Sequence, residues 1–162
     1  MEQVATSAAR AAAVSVTALV DELEGRFEDA LVFVHRRTGE VRTEVREYLA
    51  AAEDGSEEGF GGWEREAIQG AIEVLEDPDW VRAPDAFDVD EWGIMRDFGA
   101  SRSDGAASDA LLRAIQGRGA FRSFRDQLER LGLREEWSQF RRETLEQIAR
   151  EWLEVERIPF AG

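Results

Sequence analysis

The sequence predicts an α+β fold: a small antiparallel β-sheet, made of a hairpin plus a short edge strand, and a mostly helical C-terminal half. Two patterns carry this prediction. The β-branched and apolar run Ala30–Val34 is followed by a Thr-Gly turn and an alternating return segment that ends at Val45, which is typical of a β-hairpin. From Asp88 onward, apolar residues recur three and four positions apart, as in amphipathic helices. Strands and helices segregate along the chain, which argues against a doubly wound parallel sheet.

Apolar periodicity and turn residues divide the N-terminal half into short elements. Val16, Leu19 and Leu23 share a helical face, and Thr17 or Ser15 can cap that helix. The predicted elements are a flexible or helix-extending N-terminus over 1–13, a helix over 14–27, the hairpin over 30–45, a short helix over 46–53, an acidic mobile loop over 54–62, a helix over 63–76 and an edge strand over 80–84.

Four helices are predicted in the C-terminal half. They are a helix that Asp88 or Asp90 opens, a helix over 109–116, a helix over 120–131 that ends at Gly132, and a long helix over 134–156 that Pro159 terminates. Trp80, Trp92, Trp137 and Trp152 fall on apolar faces, so we expect them in the core. Trp63 lies between Gly62 and Glu64, and an exposed tryptophan there would indicate a partner surface.

Composition limits the classes of function. The 162 residues suit a single domain, which we predict over 14–162 with the acidic loop inside it. With 35 acidic residues, 20 arginines and one histidine, the formal net charge is −15, so we expect no general binding to nucleic acid. Cysteine is absent, which excludes disulfides and thiolate zinc sites. Lysine and asparagine are also absent, and this absence points to a GC-rich bacterial genome.

The N-terminal residues do not favour export. The apolar run from Ala11 to Val20 has the length of a signal-peptide core, but Glu2 precedes it and Asp21 follows without a clear cleavage site. No apolar run approaches the length that spans a bilayer. We therefore expect a cytoplasmic protein that does not contact membranes.

The residues Gly117–Arg125, called here the Arg/Gly corner, form the main candidate site. Gly117 and Gly119 bracket Arg118, and the helix that follows carries Arg122 and Arg125 beside a predicted apolar stripe. The members of that stripe are Phe121, Phe124, Leu128 and Leu131. Guanidinium groups beside a helix N-terminus suit a phosphate or carboxylate, so Arg118, Gly119, Arg122 and Arg125 are the predicted anion- or partner-binding residues.

A structural explanation of the same residues stays open. Gly117 and Gly119 can serve only to turn the chain between two helices. Arg122 and Asp126 are four residues apart, as are Arg125 and Glu129, so each arginine can pair with an acid on its own helix. In that case the corner is part of the scaffold and binds nothing.

The Arg/Gly corner also resembles a known family. It is similar to the Gly-Arg-Gly-Ala-Phe-Arg-x-Phe-(Lys/Arg)-Asp segment of UPF 0158, a bacterial family of uncharacterised proteins. Shorter resemblances are the Thr-Gly-Glu turn at 38–40, the segments 80–84 and 92–98, and the Glu-Trp pairs at 136–137 and 151–152. The sequence departs from the family at His35-Arg36 and at an acidic insertion over 53–71. The family has no established activity, so the resemblance implies a fold and an arrangement of motifs.

No catalytic constellation is evident elsewhere. His35 is the sole histidine and has no evident helpers for a nucleophilic triad, and the acids from Asp85 to Glu91 lack the spacing of a calcium loop. We predict no catalytic residue, no metal ligand and no cofactor. The leading hypothesis is a non-enzymatic interaction module with an unknown protein partner. Two alternatives are an acidic inhibitor, immunity protein or nucleic-acid mimic that binds a basic partner, and an unrecognised carboxylate-based enzyme.

Overall fold

The computed structural model describes residues 12–25, 28–85 and 88–162 and confirms the α+β class. Within those ranges the chain forms seven helices, a three-stranded antiparallel sheet and a two-stranded parallel pair. In chain order the elements are β1 (Val14–Ser15), α1 (Val16–Gly25), β2 (Ala30–His35), β3 (Val41–Val45), α2 (Arg46–Asp54), α3 (Gly62–Glu76), β4 (Trp80–Arg82), α4 (Glu91–Ala100), α5 (Gly105–Ala114), α6 (Ala120–Leu131), α7 (Arg134–Val155) and β5 (Phe160–Ala161).

The predicted hairpin and edge strand form the antiparallel sheet. The strand order is β3-β2-β4, so β2 is central and β4 pairs with its other side. All six residues of β2 are buried, because it has a strand on each side and helices on its face. At the hairpin turn, a Cβ on Gly39 would lie 2.8 Å from the Ala13 carbonyl oxygen, and φ there is +72°. Both the conformation and the close approach therefore require glycine.

The start of α1 and the C-terminal strand differ from the prediction. Val14 and Ser15 pair in parallel with Phe160 and Ala161, and the helix begins only at Val16. Ser15 caps it, since its hydroxyl oxygen accepts the Ala18 N–H at 3.1 Å. A strand of two residues is too short to show an alternating pattern, and its partner lies near the other end of the chain. For this reason the sequence predicts a helix from residue 14 and does not predict β5.

Some other boundaries also shift, and part of the prediction falls outside the described residues. The helix expected over 109–116 begins earlier, at Gly105, because Asp104 caps it by accepting the N–H groups of Ala106 and Ala107. Residues 1–11 of the predicted N-terminal segment and Phe27 of the first predicted helix lie outside the described ranges. The mobility expected of the acidic loop stays a prediction.

The chain divides into two compact units, which are described separately. The first unit contains the described residues up to Asp85 together with Ile148–Gly162. The second unit contains the described residues of the range 86–147. The single domain predicted over 14–162 stays a prediction. Among the residues that the structure describes, none of the helices has the length and apolar character needed to cross a bilayer.

Each unit has its own apolar cluster. In the first unit, α2 and α3 cover the sheet, and the cluster comprises Leu31, Phe33, Leu49, Ala71 and Val74. In the second unit, α4, α5, α6 and the first half of α7 surround Phe98, which is fully buried. Its ring makes edge contacts with the rings of Phe124, Trp137 and Phe140 at centroid distances of 6.2, 5.3 and 5.4 Å. These contacts hold α6, and hence the Arg/Gly corner, on the second unit.

Candidate functional site

The Arg/Gly corner is a solvent-exposed turn between α5 and α6. Gly117 and Gly119 have φ values of +78° and +71°, with Arg118 between them. A Cβ on either glycine would meet no atom within 4 Å. The left-handed backbone conformation, and not a close approach of other atoms, is therefore what these two positions require. Gly119 is the N-cap of α6, and Gly132 is its left-handed C-cap, where the helix was predicted to end.

The three predicted arginines project into solvent without a partner. Arg118, Arg122 and Arg125 are exposed, and the structure gives none of them a hydrogen bond or ion pair to any described residue. The expected pair between Arg125 and Glu129 is not formed between these two described residues, and Glu129 contacts Arg134 at 3.1 Å. The expected pair of Arg122 with Asp126 is likewise not formed between these two described residues. The local pairing proposed as a structural explanation is therefore wrong.

Arg141 and Arg102 of the second unit, unlike the corner arginines, are firmly paired. Arg141 donates two hydrogen bonds to the carboxylate of Glu91, at 2.7 and 3.1 Å. Arg102 contacts Glu136 at 2.8 Å, and its guanidinium lies 4.0 Å from the centre of the Phe98 ring. These guanidinium groups tie elements together, whereas those of the corner do not.

The exposure of the Phe121 side chain is not apparent from the sequence. It was assigned to the apolar stripe of α6, but its side chain is 56% exposed, while Phe124 and Leu128 are each only 2% exposed. On a helix, Phe121 and Arg125 are separated by only about 40° around the axis, so this ring faces the arginine side of α6. Helical spacing places Phe121 at the margin of the apolar stripe, and nothing in the spacing shows how far the neighbouring helices extend.

The first turn of α6 adds unpaired backbone donors to the corner. Gly119 has no side chain to cap the helix, and no other side chain caps it in the part of the chain that the structure describes. The first backbone bond of this turn is from the Ser123 N–H to the Gly119 carbonyl, at 2.9 Å. The preceding N–H groups and the positive end of the helix dipole therefore lie at the end of α6 that follows Arg118 in the chain.

Trp92 contacts the end of α5, the helix that precedes the corner. Its indole N–H donates to the carbonyl of Ile115, the C-cap of α5, at 3.0 Å. The ring is 40% exposed, and the guanidinium of Arg96 lies 5.6 Å from its centre. The prediction that Trp92 is a core residue is therefore wrong: the indole occupies a helix terminus because its N–H there satisfies a carbonyl that α5 leaves unpaired.

In the first unit, His35 and two acids form a cluster of groups that could hold a metal. One ligand atom each from His35, Asp77 and Asp79 lies within 4.8 Å of the others. Both ring nitrogens of His35 are already engaged. Nδ1 accepts the N–H groups of Arg37 and Thr38 at 3.2 Å each, so Nε2 carries the proton and donates to Asp77 at 2.9 Å. A metal at Nε2 would displace that proton and break this arrangement, so the cluster stabilises the hairpin turn.

An open pocket lies beside this cluster. Its volume is about 490 Å³, and its acidic lining residues are Glu40, Glu73, Glu76 and Asp77. The N–H of Asp79 and the His35 ring both donate to Asp77 and lower the pKa of its carboxyl group. Arg42, another residue of the pocket lining, contacts Glu44 at 2.8 Å, and burial raises the pKa of Glu44 in spite of this guanidinium. Asp77, Glu73 and Glu44 thus each have a hydrogen-bond or ion-pair partner within the first unit.

A family model matches the C-terminal part of the chain. Residues 66–162, which are more than half of the chain, match the family model described as Uncharacterised protein family (UPF0158). No curated protein matches the chain, and neither does any solved structure. The matched range includes β4, the Arg/Gly corner and all the helices of the second unit. From this match we conclude that the chain belongs to the uncharacterised protein family UPF0158.

Proposed function

We propose that this protein is a non-enzymatic interaction module that binds an acidic segment of a partner protein at the Arg/Gly corner. Arg118, Arg122 and Arg125 would contact carboxylates, Gly119 would keep the start of α6 open to them, and Phe121 would pack against an apolar side chain of the segment. The observation that carries the proposal is the unpaired state of the three arginines. They lack any described acidic partner in a chain that has 35 acidic residues.

The chemistry of the corner favours carboxylates of a short protein segment. A guanidinium binds a carboxylate through two parallel hydrogen bonds, and the exposed Phe121 ring adds apolar contact area beside it. A nucleic-acid strand would extend beyond the corner and meet the field of a protein with net charge −15. An acidic segment a few residues long keeps its charge close to the arginines, so the repulsion it meets is smaller.

The test compares two charge reversals on the same helix. Arg122→Glu alters the corner, and Arg130→Glu is the matched control because Arg130 is also exposed and lies about half a turn from Phe121 around α6. The probe is a short peptide of alternating glutamate and leucine, titrated at physiological salt by isothermal calorimetry. We expect Arg122→Glu to weaken binding about tenfold, or about 1.4 kcal/mol, and Arg130→Glu to leave it unchanged.

The two variants and a glutamine-leucine peptide show whether the proposal holds. Equal weakening by Arg122→Glu and Arg130→Glu would mean that only net charge matters, which contradicts the proposal. Equal binding of a glutamine-leucine peptide would also contradict it, since that peptide has no carboxylates. Should Arg122→Glu lower the thermal midpoint by several degrees, Arg122→Gln and Arg125→Gln are measured instead, and unchanged binding by both would overturn the proposal.

A further inference from the structure

Three aromatic side chains form an exposed cluster on the first unit, where α2, the 55–61 loop and α3 meet. Tyr48 contacts Phe60 and Trp63 edge-on, with ring centroids 6.0 and 6.2 Å apart and interplanar angles of 75° and 87°. Trp63 is 67% exposed, although its indole is among the largest apolar groups in the chain. Tyr48 and Phe60 are half-buried. The large indole ring thus contacts Tyr48 edge-on and is open to solvent, which is unusual for tryptophan.

Acidic side chains surround this aromatic cluster. The sequence from Glu47 to Glu66 contains seven acidic residues and one basic residue, Arg65. Glu47 and Glu64 are the chain neighbours of the Tyr48 and Trp63 rings, and neither has an ion pair with a described residue. The pKa of the Tyr48 hydroxyl is raised, first by desolvation and then by the charges of Glu64 and Glu47. The electrostatic potential at the rings is therefore negative.

A cation suits both the exposed indole ring and the neighbouring carboxylates of this surface. The face of an indole ring carries negative quadrupole charge and attracts a guanidinium or ammonium group, and nearby carboxylates add to that attraction. Arginine suits the cluster best, because its planar guanidinium can stack on the ring while it donates hydrogen bonds to carboxylates at the edge. An anionic or purely apolar occupant would leave Glu47 and Glu64 desolvated without a partner.

We propose that the cluster of Tyr48, Phe60 and Trp63 binds an arginine side chain in a basic segment of a partner protein. This surface belongs to the first unit and is distinct from the Arg/Gly corner of the second, so the two proposals stand independently. It also precedes residue 66, where the match to the family begins, so family membership assigns it no role. Two copies of a chain with net charge −15 repel each other, which disfavours a second copy as the occupant.

The experiment measures separately how much the Trp63 ring and the charge of the peptide contribute to binding. The full chain is titrated by calorimetry, at physiological salt, with a peptide of alternating arginine and glycine and with its uncharged citrulline counterpart. Trp63→Leu leaves the net charge unchanged, so any loss of binding comes from the ring. We expect Trp63→Leu to weaken arginine-peptide binding about fivefold, Trp63→Phe to weaken it less, and the citrulline peptide to bind far more weakly than the arginine peptide.

The matched control is Leu75→Ala, which removes another exposed apolar side chain, 42% exposed, from the same helix α3. We expect it to leave binding unchanged. Equal affinity of wild type and Trp63→Leu would overturn the proposal, because binding would then follow charge alone. Equal weakening by Leu75→Ala would overturn it too. Sedimentation of the protein alone provides a last test: self-association that Trp63→Leu abolishes would identify a second copy as the occupant and contradict a basic partner.

Discussion

Some arginines of the second unit have a hydrogen-bonded acidic partner, and others have none among the described residues. Arg141 is about three-quarters buried and bonded twice to Glu91, at the first turn of α4, whereas Arg122 is exposed and bonded to no described residue. A chain that encodes every basic residue as arginine gives no sequence signal for this difference. The partner of each guanidinium depends on which helices pack together, and helical spacing alone does not specify that.

At the residue scale, this difference predicts that the same substitution destabilises the protein at Arg141 and has little effect at Arg122. Arg141→Gln removes two charge-assisted hydrogen bonds and leaves Glu91 half-buried without its partner, so we expect a loss of about 1.5 kcal/mol in the free energy of unfolding. Arg122→Gln removes no described contact and should change it by less than about 0.5 kcal/mol. Urea denaturation of both variants measures the difference. A comparable loss in Arg122→Gln would show that Arg122 is structural.

At the scale of single elements, the hairpin turn depends on His35. Its ring accepts two backbone N–H groups of the turn and donates to Asp77, which follows α3. The sequence placed the hairpin and its glycine correctly, and it treated His35 as a residue without evident helpers. Asp77 lies 42 residues further along the chain, so only the folded sheet brings the two together. The same limit explains why the β1–β5 pair was missed.

Asp77 makes the stability of this element depend on pH. Its pKa in the folded protein is lowered by the Asp79 N–H and the His35 ring. A carboxyl group with a lowered folded pKa stabilises the fold above its unfolded pKa, which is 3.8 for an ordinary aspartate, and this contribution is lost as the pH falls through the lower folded pKa. We therefore expect the stability difference between wild type and Asp77→Asn to be constant near neutral pH and to shrink below about pH 4.

Denaturation with urea at several pH values checks this expectation. Asp126→Asn is the control, because Asp126 is exposed and has no bond to a described residue, so its difference from wild type should stay flat over the same range. A difference between wild type and Asp77→Asn that does not change on acidification would contradict the assigned hydrogen bonds.

At the scale of the whole molecule, charge is unevenly distributed on an acidic protein. Residues 117–125 contain three arginines and no acid, whereas residues 47–66 contain seven acids around an aromatic cluster. These two surfaces suit partners of opposite charge. The net charge of the whole chain is the ground for the alternative hypothesis of a basic partner, and the spacing of the arginines predicts an anion at the corner. The aromatic cluster and the corner lie in different units of the chain.

The candidate site could be predicted from the sequence only in part. The glycines and arginines of the corner follow from turn chemistry and helical spacing, because both depend on neighbouring residues in the chain. The exposure of Phe121 and Trp92 could not be predicted, since it depends on where the adjacent helices end. Trp63 was recognised as a possible partner surface because glycine on one side and glutamate on the other are poor neighbours for a core residue.

The proposed function requires that the corner arginines are accessible, and chemical modification measures their accessibility directly. Phenylglyoxal reacts with accessible guanidinium groups, and peptide mapping reports the rate at each arginine. We predict rapid modification of Arg118, Arg122 and Arg125, slow modification of Arg141, and selective protection of the corner by the glutamate-leucine peptide. Slow reaction at the corner would contradict its exposure, and equal protection of Arg130 or no protection at all would contradict its role as the binding surface.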